Sequence, residues 1–296
     1  LKFETDAVIG KKGALCKGLN LQYRIKLQKE IDMRKYGTFI FEEIEPCVGL
    51  VTLNRPDKLN AINVEMLDDF NELFAVLTKD DAIRVLIITG AGRGFCAGAD
   101  LNEALSHKDS DALSDPEKYL RLAQERYSAL ILGLRRIPQP VIAAVNGPAA
   151  GGGFAMALGS DIRVASPEAY FVASFANIGL SGGEMGTSYL LPRLIGLARA
   201  AEILYTGRKV NAEEAERMGL VNRVVPKEAL LKTALSIAGL MTAKGVGALK
   251  LTKRVLEQNI DAPSLEAAVN LENRNQTIMV FSGEFFKLIK PFFKGV

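Results

Sequence analysis

Histidine is almost missing from this chain of 296 residues: it holds one, His107, which excludes a His-rich metal site. Cysteine is scarce as well. Cys16, Cys47 and Cys96 make an odd count without metal-ligand spacing, which points to a reducing compartment and away from a disulfide framework. No run of about 18 or more consecutive apolar residues occurs, so no membrane span is expected. A dense basic block with interleaved aromatics is also missing, and the formal charge of +3 is small for this length, which argues against a nucleic-acid partner. What is present is 48% apolar residues, enough to fill a substantial core. These features suit a globular protein with a small-molecule or protein partner. The expected location is cytoplasmic, or the mitochondrial matrix if the source is eukaryotic.

Residues 1–32 differ from the rest, mixing Lys11, Lys12, Lys17, Lys26 and Lys29 with Glu4, Asp6, Glu30 and Asp32. The acidic residues count against a transit peptide, so 1–32 read as an N-terminal extension or tag, and Met33 opens the domain. From Tyr36 onward, TFIFEEI and VGLVTLN predict a hairpin, VEMLDDFNELFAVL an amphipathic helix and RVLIITG a buried strand. The cycle repeats with a helix over roughly Glu117 to Arg136, the strand PVIAAVNG, a short helix after the glycines and the strand DIRVAS. Strands alternating with helices imply a parallel sheet and an α/β fold. Beyond about Gly186 every pattern is helical. The expected division is an α/β core over 33–230 and a helical region over 231–296.

Both glycine-rich stretches, 85-VLIITGAGRGFCAGADL-101 and 141-VIAAVNGPAAGGGFAMAL-158, directly follow apolar strands. Ligands gather at the carboxyl ends of parallel strands. One N–H beside Gly98 and one within Gly151–Gly153 could therefore face a single carbonyl oxygen and stabilise it as an oxyanion. Rival readings of the glycines fit less well. Neither stretch has the Gly-Lys-Ser or Gly-Lys-Thr of a phosphate loop, and a dinucleotide fingerprint from Gly90 and Gly92 would need glycine where Phe95 stands. The string 179-GLSGG-183 matches a nucleophile elbow, but His107 lies before it rather than after. His107 reads as a solvated loop residue and Cys96 as a small buried filler.

The segments 54-NRPDKLNAIN-63, 94-GFCAGADL-101, 140-PVIAAVNGPAAGGGFAMALGSDIRVAS-166, 179-GLSGGEMGTSYLLPRLIG-196 and 206-TGRKVNAEEAERMGLVNRVVP-226 resemble the successive signatures of the enoyl-CoA hydratase/isomerase (crotonase) superfamily. The resemblance implies an α/β, crotonase-like spiral of ββα units with a C-terminal helical trimerisation layer, assembling as a homotrimer or a dimer of trimers. It implies an acyl-CoA thioester as substrate, with coenzyme A part of that substrate and no separate cofactor or metal. Carried over by position, the oxyanion donors would be the N–H groups of Ala99 and Gly152. Arg55, Lys58, Asn60 and Ala61, with Ala97, Asp100 and Leu101, would hold the adenine and pantetheine parts. Gly151, Phe154 and Phe175 would border the acyl group, with Tyr189 a further candidate; for the three aromatics, which follow core strands, ordinary packing is at least an equal reading. Lys250, Lys253 or Lys287 would meet the CoA phosphates or, equally, form a solvated helix face.

One departure bears on the chemistry. Hydratases of this family place one glutamate two residues after the glycine triplet and another after the sheet, and those positions align here with Ala155 and Phe175. The loop 179-GLSGGEMGT-187 carries Glu184 instead, near where dienoyl-CoA isomerases of the family carry an aspartate; a dipole-complementing helix cap is the rival role. As a base, Glu184 would sit among Phe175 and Phe154, an apolar setting that suits proton transfer near neutral pH. Family frequency favours 2-enoyl-CoA hydration, which is the reaction expected here; enoyl- or dienoyl-CoA double-bond isomerisation, which a single carboxylate shuttle favours, is the first alternative. Thioester hydrolysis, or acyl-CoA binding with little catalysis, are the further alternatives.

Overall fold

The computed structural model describes residues 36–79, 81–104 and 115–292, so the expected extension over 1–32, Cys16 and His107 lie outside the described residues. In chain order the strands are β1 (Phe39–Glu45), β2 (Val48–Leu53), β3 (Val85–Gly90), β4 (Val141–Val145), β5 (Ala149–Ala150), β6 (Ile162–Ala165), β7 (Tyr170–Val172), β8 (Val210–Asn211) and β9 (Arg223–Val224). The longer helices are α1 (Val64–Lys79), α2 (Glu125–Arg136), α3 (Gly152–Gly159), α4 (Thr187–Ile195), α5 (Leu197–Thr206), α6 (Ala212–Arg217), α7 (Lys227–Thr242), α8 (Val246–Asn259), α9 (Leu265–Phe281) and α10 (Glu284–Ile289).

The main sheet runs β1-β2-β3-β4-β6-β9. Its first pair is the expected antiparallel hairpin, and every later pairing is parallel. Side chains alternate across a strand, so each central strand feeds two cores. Leu86 and Ile88 of β3, with Val141, Ala143 and Val145 of β4, join the larger core that includes Met66, Phe70 and Leu73 of α1. Val85 and Ile87, with Ile142 and Ala144, join Leu230, Ala234 and Ala238 of α7 on the opposite face. Burial on both faces explains why these strands read as continuous apolar runs. The boundary expected at residue 230 falls inside α7, which packs on the sheet.

Two features went unseen in the sequence. A second sheet, β5-β7-β8, is built from strands of two or three residues, too short for any alternation to register. The helix expected from Glu117 to Arg136 is interrupted: an α-turn at Pro116–Tyr119 runs into a π-helical segment, Leu120–Gln124, before α2 begins.

Lys253 of α8 ties the C-terminal helices to the core. Its ammonium donates to the carbonyls of Leu134 and Gln139, each at 2.8 Å, and lies 3.2 Å from Asp161 Oδ2. Arg135 bridges Asp161 at 3.1 Å and Glu257 at 3.0 Å. Burial pulls the Lys253 ammonium below its ordinary value, and the Asp161 carboxylate opposes that pull.

Candidate active site

The first glycine stretch leaves β3 and returns as an extended segment, Cys96–Asp100, held on both edges. On one edge Ala97 N–H donates to Leu59 O at 3.0 Å, Ile62 N–H to Gly98 O at 2.7 Å and Asp100 N–H to Ile62 O at 2.8 Å. On the other, Phe95 and Cys96 N–H both donate to Pro148 O at 3.0 Å, and Ala150 N–H donates to Cys96 O at 2.9 Å. Successive N–H groups of an extended chain face opposite sides. With Asp100 N–H turned to Ile62, Ala99 N–H turns away from it. Gly98 has φ +93°, and a Cβ there would lie 2.8 Å from Ala150 O and 3.2 Å from Gly152 N, so glycine is required and the two loops touch at this point.

The triplet shows a division of labour. Gly151, at φ +48°, donates its N–H to Val172 O at 2.9 Å, turning the chain off β5. Gly152 opens α3, where the helix dipole is positive. A Cβ on Gly153 would stand 2.1 Å from Cys96 O, so the helix can approach the neighbouring segment only without one. Among the described residues, neither Ala99 N–H nor Gly152 N–H has a backbone acceptor. The two expected donors thus carry no backbone partner among the described residues.

Two buried asparagines fix the turn that precedes this segment. Asn60 Nδ2 donates to Ala91 O at 3.0 Å and Gly94 O at 2.9 Å, while its Oδ1 accepts from Arg55 N–H at 2.9 Å. Asn146 Oδ1 accepts from Gly90 N–H at 3.0 Å, and its Nδ2 donates to Gly94 O at 3.3 Å. Arg55 donates to Ala61 O and pairs with buried Asp100 at 2.9 Å, clamping the two loops. Of the residues expected around CoA, then, Arg55, Asn60 and Asp100 engage their side chains within the protein, Lys58 and Leu101 are exposed, and Ala61 and Ala97 contribute backbone. Cys96 is wholly buried, and burial pushes its thiol up to about 12, against smaller lowering from a Gly98 backbone bond and Arg55, so it is no nucleophile near neutral pH.

The positions that carry glutamates in family hydratases hold buried, apolar Ala155 and Phe175. The Phe175 ring borders Gly151, 3.6 Å from where a Cβ would stand. Phe154, expected beside the acyl group, instead packs fully buried against Phe171 with ring centroids 5.8 Å apart, because α3 is buried on all sides. Half-buried Glu184 lies in a polar setting: its Oε1 accepts from Gln124 Nε2, and its N–H donates to Thr187 Oγ1 at 3.0 Å. Next to it Met185, at φ +49°, lays its sulfur over Gly152, 3.2 Å from where a Cβ would be. Glu184 thus sits one residue from a side chain that packs over Gly152.

The remaining candidates lie as follows. Tyr189 donates to Asp261 and carries Arg193 on its ring at 3.6 Å, a surface cluster that links α4 to the turn after α8. Lys253 is a buried pin, and Lys250 pairs with Asp81; Lys287 is exposed on α10. Ser181 Oγ is exposed and, among the described residues, its hydrogen-bond partner is Gly183 N–H at 3.3 Å, in keeping with the reading of the elbow-like string as an accident of sequence. Gln124, Asn146, Thr187 and Met185 were not singled out in the sequence. Gln124 stands 60 positions from its partner, a pairing that periodicity does not reveal.

Known proteins match along this frame. The family model for enoyl-CoA hydratase/isomerase matches residues 43–287. A Mycobacterium tuberculosis protein named "Probable enoyl-CoA hydratase EchA12" is 47% identical over 237 residues, covering 80% of this chain and 83% of the relative. A 1,2-epoxyphenylacetyl-CoA isomerase of Escherichia coli is 37% identical over 255 residues, covering 86% and 95%. The crystal structure of a "probable enoyl-CoA hydratase/isomerase" from Mycobacterium abscessus superposes with a TM-score of 0.76 at 42% identity, covering 82% of this chain and 90% of the other. The free N–H pair at the ends of two parallel strands, the spiral of sheet and helix behind it and these matches converge: the chain belongs to the enoyl-CoA hydratase/isomerase family and has the crotonase fold.

Proposed function

We propose that the chain moves a carbon–carbon double bond in an unsaturated acyl-CoA thioester, with Glu184 as its single proton shuttle. The thioester oxygen lies between Ala99 N–H and Gly152 N–H. Glu184 takes a proton from C2 of a 3-enoyl group, the C–H electron pair moves into a dienolate, and negative charge settles on the oxygen between the two donors. The same carboxylic acid returns the proton to C4, the carbonyl reforms and the double bond ends at C2. Nothing is gained or lost, and no resident cofactor is needed; CoA is part of the substrate.

One observation carries the reading: a hydrogen-bonded carboxylate stands one residue from Met185, whose sulfur lies 3.2 Å from where a Gly152 Cβ would be, while the positions of both hydratase glutamates are buried and apolar. A solved Mycobacterium smegmatis structure described as a monofunctional enoyl CoA isomerase, 43% identical over 78% of this chain with a TM-score of 0.66, supports it. Hydration of a 2-enoyl-CoA, the outcome that family frequency favours, is the second reading and is supported by the name of the 47% relative.

The test offers 3-hexenoyl-CoA and crotonyl-CoA separately. Expected is a rise of conjugated enoyl-thioester absorbance with the first, little loss with the second, and a fall in kcat of about 10²- to 10⁴-fold for Glu184→Gln. Rapid loss of crotonyl absorbance would replace isomerisation by hydration, release of free CoA thiol would indicate hydrolysis, and tight binding without turnover would leave only an acyl-CoA binder. The assembly proposed is a homotrimer or dimer of trimers through the C-terminal helices, whose exposed Leu256, Leu265 and Phe281 favour burial. Sedimentation giving a monomer would overturn that.

A further inference from the structure

We infer that Gln124 is a positioning residue for the proton shuttle, holding one oxygen of Glu184 so that the other carries the proton. This rests on the reading of Glu184 given above. Gln124 Nε2 donates to Glu184 Oε1, and both side chains are half-buried. An amide can donate to a carboxylate yet cannot take its proton, so the pair fixes geometry without sharing the titrating proton, as a second acid would. With Oε1 occupied as an acceptor, Oε2 is the oxygen on which an O–H bond forms when the substrate C–H breaks, and from which the proton leaves for C4.

The backbone on each side of the pair is arranged for this contact. Gln124 is the last residue of the π-helical segment and directly precedes α2, whose Leu130, Ile131 and Leu134 are buried in the core and whose Arg126 pairs with Asp68. Its donor is therefore carried on an anchored helix. A π-turn accommodates one added residue, which rotates what lies before it by about 100° relative to an unbroken α-helix. Glu184 is met from the other side by Thr187, whose Oγ1 accepts its N–H and whose own N–H donates to Glu184 O at 2.9 Å. Met185 and Gly186 then follow at φ +49° and +79°, a tight turn that places Glu184 before the start of α4. Without Gln124 the carboxylate would have backbone fixed and side chain free.

Gln124→Leu and Gln124→Met, which keep bulk and remove the donor, provide the test, each alone and with Glu184→Gln. The readouts are isomerisation of 3-hexenoyl-CoA and exchange of the C2 protons of butyryl-CoA in D₂O. Expected is a fall in kcat of roughly 10- to 100-fold with KM within about twofold, since a hydrogen bond to a charged group that acts in the proton transfer is removed. In the Glu184→Gln background the same substitutions should change the residual rate by less than about twofold, because the partner they position is already lost. Unchanged kcat in both single variants, or an equal proportional loss in the Glu184→Gln background, would overturn the positioning role. Full exchange by Glu184→Gln alone would instead overturn the shuttle itself, so the two failures are distinct.

Discussion

The two sides of the candidate site are built in opposite ways. The oxyanion side is main chain, buried and held by hydrogen bonds on both edges of Cys96–Asp100, with glycines where any side chain would collide. The acid side is a half-buried carboxylate on a tight turn, with one amide holding its side chain. What this difference teaches is that activation of the thioester and the proton chemistry performed on it are separable. The first is fixed by the fold, and the second depends on which side chains stand near it.

Substitutions on the oxyanion side should therefore act on folding before activity. The largest effect is expected for Gly153→Ala, whose methyl would stand 2.1 Å from backbone oxygen: a loss of about 3 kcal/mol or more in urea unfolding. An alanine variant as stable as the parent would show that α3 is not wedged against Cys96. Asn60→Ala should cost about 2 kcal/mol by leaving the Ala91 carbonyl and the Arg55 amide without this partner and Gly94 O with the longer Asn146 bond, with kcat falling alongside stability. By contrast Glu184→Gln should lose activity with its melting temperature nearly unchanged, and the comparison breaks if the two kinds of loss do not separate.

Near neutral pH the smallest effect concerns Cys96, whose influence on stability appears only at alkaline pH. Its thiol is raised in the folded protein to about 12, so the unfolded chain releases the proton first as pH rises. Stability is intact below about pH 8.5 and then declines toward pH 12 by at most about 1.4 kcal/mol per unit. Cys96→Ala should flatten that decline in denaturant midpoints measured across this range.

Much of the oxyanion side was legible in the sequence because its information is local: two apolar strands, each followed by glycines. The pair Ala99 and Gly152 was named from family position, and the hydrogen-bond pattern leaves those two N–H groups free. The acid side was legible only to the identity of Glu184. Its partner comes from a helix whose π-turn leaves no periodic trace, and Met185 comes to Gly152 through a turn with two positive φ angles. Lys253 illustrates the same limit. In 250-KLTKR-254 the sequence offers three cations on one helix, and only packing decides that the middle one faces inward. Phe154 was expected at the ligand because it follows the glycines, yet a helix buried all round directs it into the core.

The free N–H pair also sets what drift in sequence can and cannot reach. Because both donors belong to the main chain, every residue type except proline has the N–H that each position needs, although a Cβ at 152 would press on Ile62 at 3.0 Å and Met185 at 3.2 Å. The vulnerable letters are their neighbours, Gly98, Gly151 and Gly153, which hold the geometry but bind nothing. Under the proposed function, thioester activation is thus encoded largely one residue away from where it acts, while the acid can be exchanged without disturbing that code.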